Sequence, residues 1–178
     1  EDIVDGPIRP RRLHQPGFAE MAQPSGLASD GRWLYAADSE GSSIRAMPLS
    51  GRGEVRTLVG TAALPGARLF TFGDVDGRGS AVRLQHPLGL AFDEGKLYVA
   101  DTYNNKLKVI DPTTGDAKTL LGGKQPGKSD VPAAFHEPGG LSAAGGRLFV
   151  ADTNNHAIRV VDLREANRTA TLTLTGLR

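Results

Sequence analysis

The side chains best suited to bind a ligand stand directly before three prolines. Gln23, His86 and Glu137 each precede a proline, and His136 stands next to Glu137. Imidazole nitrogens and carboxylate oxygens can hold a ligand or, where several converge, a metal ion. We take these four residues as binding candidates, with His86 and Glu137 as the two that could contribute to a metal site. The competing interpretation is that a polar side chain before a proline is simply solvated.

A carboxylate recurs at one position, as Asp38, Asp101 and Asp152, and two of these are followed three residues later by Asn104 and Asn155. An Asp at the end of a strand can accept hydrogen bonds from backbone N–H groups of the next loop, and Asn can act likewise. A catalytic group would not need to recur in this way. We therefore interpret these five residues as structural, and we predict no catalytic residue and no cofactor.

These residues belong to an internal repeat. Residues 24–47, 87–110 and 138–161 align without a gap, each with Pro-x-Gly-Leu at its start and Asp fourteen positions after the proline. Each unit contains four short stretches with strand-like composition, and Gly-bearing turns separate the first two. Such units predict an all-β fold of three four-stranded antiparallel blades of a β-propeller.

The repeat also divides the chain. We predict a single propeller segment with a leader at 1–23, blade 1 at 24–60, a connector and blade 2 at 61–122, and a connector and blade 3 at 123–178. The connectors and the loops between the second and third strands then share one face of the propeller. Because long loops on a rigid scaffold are common binding surfaces, we add Tyr103, Lys106 and His156 from these loops to the binding candidates.

The pattern Asp-x-x-Asn-x-x-aliphatic, after Pro-x-Gly-Leu and Leu-Tyr-Val-Ala, resembles the NHL repeat. Blade 1 departs from it, because Gly41-Ser42 replaces the Asn-Asn and Asn-His pairs of the other blades. Residues 137–142 and 151–162 resemble the C-terminal propeller of proteins that join a thioredoxin-like domain to NHL repeats. The resemblance implies a six-bladed ring, of which three blades are half. A second copy, as a homodimer, or a missing half would complete it.

Composition removes several classes of function. The chain has no cysteine, which excludes a disulfide framework, a thiolate zinc site and a cysteine nucleophile. The formal net charge is +1, which argues against nucleic acid as a partner, although Arg9-Pro10-Arg11-Arg12 is a local basic cluster. No apolar run is long enough to span a membrane. The lack of cysteine and of an apolar leader is compatible with the cytoplasm.

Three functions remain open. The first is a non-catalytic module that binds a protein, peptide or small ligand on the loop-rich face and channel mouth, as the resemblance implies, in a protein with a thioredoxin-like domain. The second is a lyase or lactonase of the propeller type with a metal in its channel, which needs several His or acidic ligands. The third is an RNA-binding NHL domain.

Overall fold

The computed structural model describes residues 3–8, 19–62, 64, 70–173 and 175; Arg9–Arg12, part of the leader, lies outside them. The described chain is built from short strands and three 3₁₀ turns at Gly79–Ala81, Thr102–Asn104 and Thr153–Asn155. The strands are β1 (Gly6–Pro7), β2 (Pro24–Ser29), β3 (Trp33–Asp38), β4 (Ser43–Pro48), β5 (Glu54–Val59), β6 (Gly77–Arg78), β7 (Pro87–Asp93), β8 (Lys96–Asp101), β9 (Lys106–Asp111), β10 (Asp116–Gly122), β11 (Pro138–Ala144), β12 (Arg147–Asp152), β13 (Ala157–Asp162) and β14 (Arg168–Thr171).

The strands form three antiparallel sheets, one for each repeat. Blade 1 has the order β1-β5-β4-β3-β2, blade 2 the order β6-β10-β9-β8-β7, and blade 3 the order β11-β12-β13-β14. The predicted four-stranded blades are confirmed. Blades 1 and 2 each gain a two-residue strand on the outer edge, because the segment before the blade pairs with its last strand.

The blades stack through their innermost strands. Strand β2 lies against β7, and β7 lies against β11. The approach is so close that a Cβ on Gly26 would overlap the carbonyl oxygen of Leu88, and a Cβ on Gly89 would overlap that of Gly139. These glycines therefore allow backbone to meet backbone near the propeller axis.

Each contact between blades encloses an apolar core. The core between blades 1 and 2 includes Tyr35, Ile44, Leu97 and Ile110, all fully or almost fully buried. Sheet faces of blades 2 and 3 build the second core in the same way. The fully buried side chains that fill it are Ala100, Leu107, Phe135, Leu148, Val150 and Val161. Apolar burial is the main stabilising term for such a stack, and each blade depends on its neighbour for part of it.

The described part of the chain holds no helix with the length and hydropathy to cross a bilayer.

Candidate functional site

The loops between the second and third strands of each blade meet the connectors on one face. Backbone N–H groups in these loops donate to the segment just before the first strand: Ser39 to Gln23, Tyr103 to Gln85 and Asn154 to His136, all at 2.9–3.1 Å. We call this the loop-rich face and define it by residues 39–42, 102–105 and 153–156 with residues 22–23, 85–86 and 136–137.

His86 lies at a junction of two blades on this face. Its Nε2 is 3.2 Å from Glu40 Oε1 of blade 1, and its ring stacks on Tyr103 of blade 2 with centroids 4.5 Å apart. The His86 backbone has φ of 49°, and its N–H points to Ser42 Oγ at 3.5 Å. The Tyr103 side remains open, since that residue is 49% exposed. The junction thus combines a carboxylate, an imidazole and an accessible aromatic face.

Glu137 occupies the same position one blade further on. Its backbone also has positive φ, at 50°, and its N–H donates to Asn105 Oδ1 of blade 2 at 2.9 Å. Its carboxylate accepts a hydrogen bond from Asn154 Nδ2 of blade 3 at 2.8 Å. The pre-proline side chain is therefore set by a loop of the preceding blade and contacts its own blade's loop. This arrangement recurs at His86 and Glu137 and orders the rim of the loop-rich face.

The other binding candidates lie apart from this junction. Lys106 forms an ion pair with Asp74, so its ammonium is committed to the blade 2 connector. His136 is half-buried, with its N–H bonded to Asp152 Oδ1 at 2.8 Å. His156 is exposed at the far end of blade 3, and Gln23 is exposed in front of blade 1.

Among the described residues, no three His, Cys, Asp or Glu side chains are grouped so as to hold a metal ion. The His86 ring lies next to the Glu40 carboxylate, whereas the Glu137 carboxylate contacts the side-chain amide of Asn154. The two residues considered as metal ligands therefore have different neighbours on the loop-rich face.

Asp38, Asp101 and Asp152 are fully buried beneath the rim. Each accepts a hydrogen bond from the backbone N–H of the connector that leads into its blade, with Gln23, Gln85 and His136 as donors at 2.7–2.8 Å. These N–H donors lie in the connector before the blade, whereas the sequence had suggested donors in the loop that follows the aspartate. In two blades the next loop contributes a side chain: Asn104 and Asn155 each donate to the carboxylate at 2.8 Å.

A fully buried cation lies seven positions after each of these aspartates: Arg45, Lys108 or Arg159. In blade 3, Arg159 donates to Asp152 at 2.8 Å and to Asp130 of the connector at 2.6 Å. Asp130 in turn accepts from Thr171 of the outer strand. We call this arrangement the clasp of a blade. Asp5 with Thr57 and Asp76 with Thr119 complete the same clasp in blades 1 and 2.

The clasps could not be predicted from the sequence, although their basic residues, Arg45, Lys108 and Arg159, recur at one position of the repeat. The connector aspartates come from segments of unequal length, so no fixed spacing marks them. In sequence, the run Asp74-Val75-Asp76-Gly77 of the blade 2 connector weakly resembles a calcium-binding loop. In the structure Asp74 and Asp76 both bind Lys108, at 3.1 and 2.7 Å.

Blade 2 differs from its neighbours because its clasp cation is Lys. Lys108 Nζ stays 3.9 Å from Asp101, whereas the guanidinium groups of Arg45 and Arg159 bond directly to their aspartates. Burial raises the pKa of the Asp101 carboxyl to about 7, and hydrogen bonds from Gln85 and Asn104 offset only part of that effect.

Comparison with known proteins agrees with the repeat. The model of the NHL repeat matches residues 84–110 and 135–161, which lie in blades 2 and 3. The chain is 50% identical over 162 residues to NHL repeat-containing protein 2 of Bos taurus, covering 84% of this chain and 22% of that protein. It is 46% identical over 166 residues to Protein SUPPRESSOR OF QUENCHING 1, chloroplastic, of Arabidopsis thaliana, covering 89% and 16%. The chain thus spans about a fifth of the length of these relatives.

Solved structures agree on the fold. A protein of unknown function from Bacteroides thetaiotaomicron superposes with a TM-score of 0.60 at 21% identity, over 72% of this chain and 32% of that one. Virginiamycin B lyase from Staphylococcus aureus superposes with a TM-score of 0.55 at 13% identity, over 88% and 43%. The family match and the three stacked sheets lead to one conclusion: the chain carries NHL repeats, folded as blades of a β-propeller.

Proposed function

We propose that this chain is a binding module that takes a protein or peptide partner on its loop-rich face. The observation that carries the proposal is the junction at His86, where Glu40 and Tyr103 from two successive blades meet one imidazole. The exposed face of Tyr103 is free for a partner, and the side chain lies on a rigid loop whose backbone is bonded to the connector.

The chemistry of the rim favours a basic group on the partner. Glu40 is exposed and Glu137 is half-buried on the same rim. A Lys or Arg side chain over the Tyr103 ring would gain a cation–π contact there and an ion pair with a rim carboxylate. The paired strands beneath keep these groups in place, which reduces the ordering cost of binding.

Fluorescence anisotropy with three labelled peptides of equal length tests this proposal. One peptide is rich in Arg and Lys, one is neutral and one is rich in Glu. We expect the basic peptide to bind, and Tyr103→Ala to weaken binding roughly two- to fivefold, the loss expected for an exposed cation–π contact. The matched control is Leu49→Ala, since Leu49 is similarly exposed but lies in the turn after β4 at the opposite end of that strand.

Two outcomes would overturn the proposal. One is that no peptide binds, and the other is that the Tyr103→Ala and Leu49→Ala variants bind the basic peptide equally well. Preferential binding of the Glu-rich peptide would exclude the basic class of partner.

A second part of the proposal concerns context. The resemblance to propellers joined to thioredoxin-like domains supports a role beside a redox domain, and the lack of cysteine here leaves such chemistry to another segment. A reducing compartment such as the cytoplasm fits that composition. A Cys-x-x-Cys motif in the same gene product would support this context, and its absence there would remove it.

A further inference from the structure

A groove opens on the side of blade 2 that faces blade 3, at the end of the blade opposite the loop-rich face. Its volume is about 320 Å³, and its lining residues come from β8, β9 and β10: Lys96, Val109, Asp111, Asp116 and Lys118. Val109 packs against the core between blades 2 and 3, so the groove is an outward extension of that junction. A space of this size lies at the lower end of the range for small-ligand sites.

The equivalent place between blades 1 and 2 is filled by the chain itself. Trp33 of blade 1 corresponds to Lys96 in the repeat, and its side chain packs against the core between those two blades. The guanidinium carbon of Arg56 lies 4.4 Å from the centroid of the Trp33 ring. Arg56 in β5 and Lys118 in β10 hold the same register in their sheets. Blade 1 thus shows an aromatic ring held beneath a cation at this position.

Blade 2 lacks the ring but keeps the space. The Lys96 side chain turns aside to Asp111, with Nζ 2.6 Å from Oδ2. A second ring is missing from the facing strand. At the first junction Phe92 stacks on Tyr35 with centroids 6.4 Å apart, whereas blade 3 has Ala143 in the position of Phe92. The second junction therefore lacks the two aromatic side chains that fill the first.

The charges in the groove are unevenly committed. Asp111 is bound to Lys96. Asp116 accepts a hydrogen bond from Thr114 Oγ1 at 2.7 Å. Lys118 is exposed, and within the described chain its ammonium has no hydrogen-bond or ion-pair partner. The charge that remains available to a ligand is therefore positive.

We propose that this groove binds a small molecule in which an aromatic ring carries a carboxylate. The ring takes the place that Trp33 has in blade 1, against Val109 and beneath the Lys118 ammonium. The carboxylate accepts a hydrogen bond from Lys96, whose ammonium has three donors and gives one of them to Asp111. A cation–π contact and a charge-assisted hydrogen bond then recognise the two parts of the ligand. The site is independent of the function proposed for the loop-rich face.

Titration of the whole chain with three small molecules, followed by NMR chemical shifts, tests this proposal. Indolepropionate has both the ring and the carboxylate, cyclohexylpropionate has the carboxylate without an aromatic ring, and tryptamine has the ring with an ammonium in place of the carboxylate. We expect indolepropionate alone to bind, with a dissociation constant on the order of 1 mM for a ligand of this size. No binding of indolepropionate at millimolar concentration would overturn the proposal, and so would equal binding of either other compound.

The location of the shifts distinguishes this site from the loop-rich face. We expect the backbone amide signals of Val109 and Lys118 to move during the titration, while those of His86 and Tyr103 stay in place. Shifts concentrated at His86 and Tyr103 would contradict the groove as the site.

Two lysine variants separate the groove from general attraction of an anion to a positive charge. Lys118→Ala removes the cation above the ring and should weaken binding roughly two- to fivefold, the loss expected for an exposed cation–π contact. Lys124→Ala is the matched control, because Lys124 is an exposed lysine of the connector before blade 3, where its carbonyl accepts from Asn105 of the loop-rich face. It should leave binding unchanged. Equal losses in the two variants would exclude a specific role for the groove.

A third variant fills the groove in the way that blade 1 does. Lys96→Trp gives blade 2 the residue that blade 1 has at this position, and its indole should occupy the place of the ligand and abolish binding. Lys96→Met removes the same ammonium without adding a ring, and we expect it only to weaken binding. Both residue 96 variants are checked for folding by circular dichroism, and the half-exposed position of Lys96 favours retention of the fold. Undiminished binding of indolepropionate to the Lys96→Trp protein would overturn the proposal.

Discussion

The junction between blades 1 and 2 can be compared with the side of blade 3 that faces away from blade 2, which we call the free face. The two use the same positions of the repeat with opposite results. At the junction, Ile44 is fully buried, and Gly26 meets the backbone of Leu88. At the free face, Ile158 is 40% exposed, and a Cβ on Gly140 would meet only Ala151 of its own blade among the described residues. The repeat thus encodes a face that is complementary to another blade, and burial depends on whether that blade is present.

The clasps behave differently from the blade faces. Arg45 and Arg159 are both fully buried, and each is bonded to two aspartates. This holds although blade 1 and blade 3 lie at opposite ends of the three-blade stack. Blade packing is therefore shared between neighbours, whereas the ion-pair network belongs to each blade with its connector. The following predictions test this distinction.

The largest effect is expected when the clasp of blade 3 is broken. Arg159→Ala leaves buried Asp152 without its guanidinium, and loss of one partner of a buried pair costs about 3–5 kcal/mol. Urea unfolding measures the change. Arg147→Ala is the control, because the Arg147 side chain is exposed in its pair with Asp162 and surface pairs of this kind contribute little to stability. Similar losses in the two variants would show that the clasp does not stabilise the blade.

The second comparison concerns the corresponding aliphatic residues. Leu107→Ala removes a fully buried side chain from the core between blades 2 and 3 and should cost about 2–5 kcal/mol. Ile158→Ala should stay within about 0.5 kcal/mol, as for other surface changes, because Ile158 is 40% exposed. Urea unfolding of the two variants gives both values. Equal costs would mean that the free face is already packed.

The third comparison uses glycines of the innermost strands. A methyl group on Gly89 overlaps the Gly139 carbonyl oxygen, so Gly89→Ala should destabilise by roughly 1–3 kcal/mol through overpacking. Gly140→Ala meets no neighbouring blade in the described chain and should remain within about 0.5 kcal/mol. Thermal unfolding distinguishes them, and a loss as large for Gly140→Ala would point to contacts on the free face.

The last comparison is a pH dependence specific to blade 2. The pKa of Asp101 is about 7 in the folded chain, whereas an unfolded Asp titrates near its ordinary value of 3.8. The folded state therefore keeps a proton that the unfolded state loses, so the contribution of Asp101 to stability falls as pH rises from about 4 to 7. In Asp101→Asn this decline should be absent, so the difference in unfolding free energy between the wild-type protein and the variant should fall over the same pH range.

A second variant covers the case in which Asp101→Asn does not fold. Lys108→Arg supplies the guanidinium that blades 1 and 3 already have, which should lower the Asp101 pKa and flatten the same decline. Parallel profiles for the wild-type and Lys108→Arg proteins would show that Asp101 does not titrate in this range.

Much of the fold could be predicted from the sequence, because each blade is local in the chain. Alternating apolar residues and Gly-bearing turns indicate the hairpins, and the fixed offset from proline to Asp gives the repeat. The two extra edge strands were missed because each has only two residues and forms through pairing with a distant strand.

The candidate site was harder to predict, because its contacts cross between blades. His86 and Tyr103 were both candidates, but their stacking depends on the left-handed backbone at His86 and on the path of the connector. Glu40 gave no signal, since blade 1 departs from the repeat in that loop. Lys106 looked exposed in sequence, and its ion pair with Asp74 requires a connector whose length varies between blades.

The left-handed residue before the prolines of blades 2 and 3 has a consequence for how this surface could diversify. Its N–H is held by Ser42 or Asn105, a side chain of the previous blade, so the direction of each rim side chain is decided one unit upstream. A substitution at Ser42 should therefore re-aim His86 without touching it. The rim side chains of one blade are thus oriented by the loop of the preceding blade. Substitutions in that loop would change which groups the rim presents, while the strands stay the same.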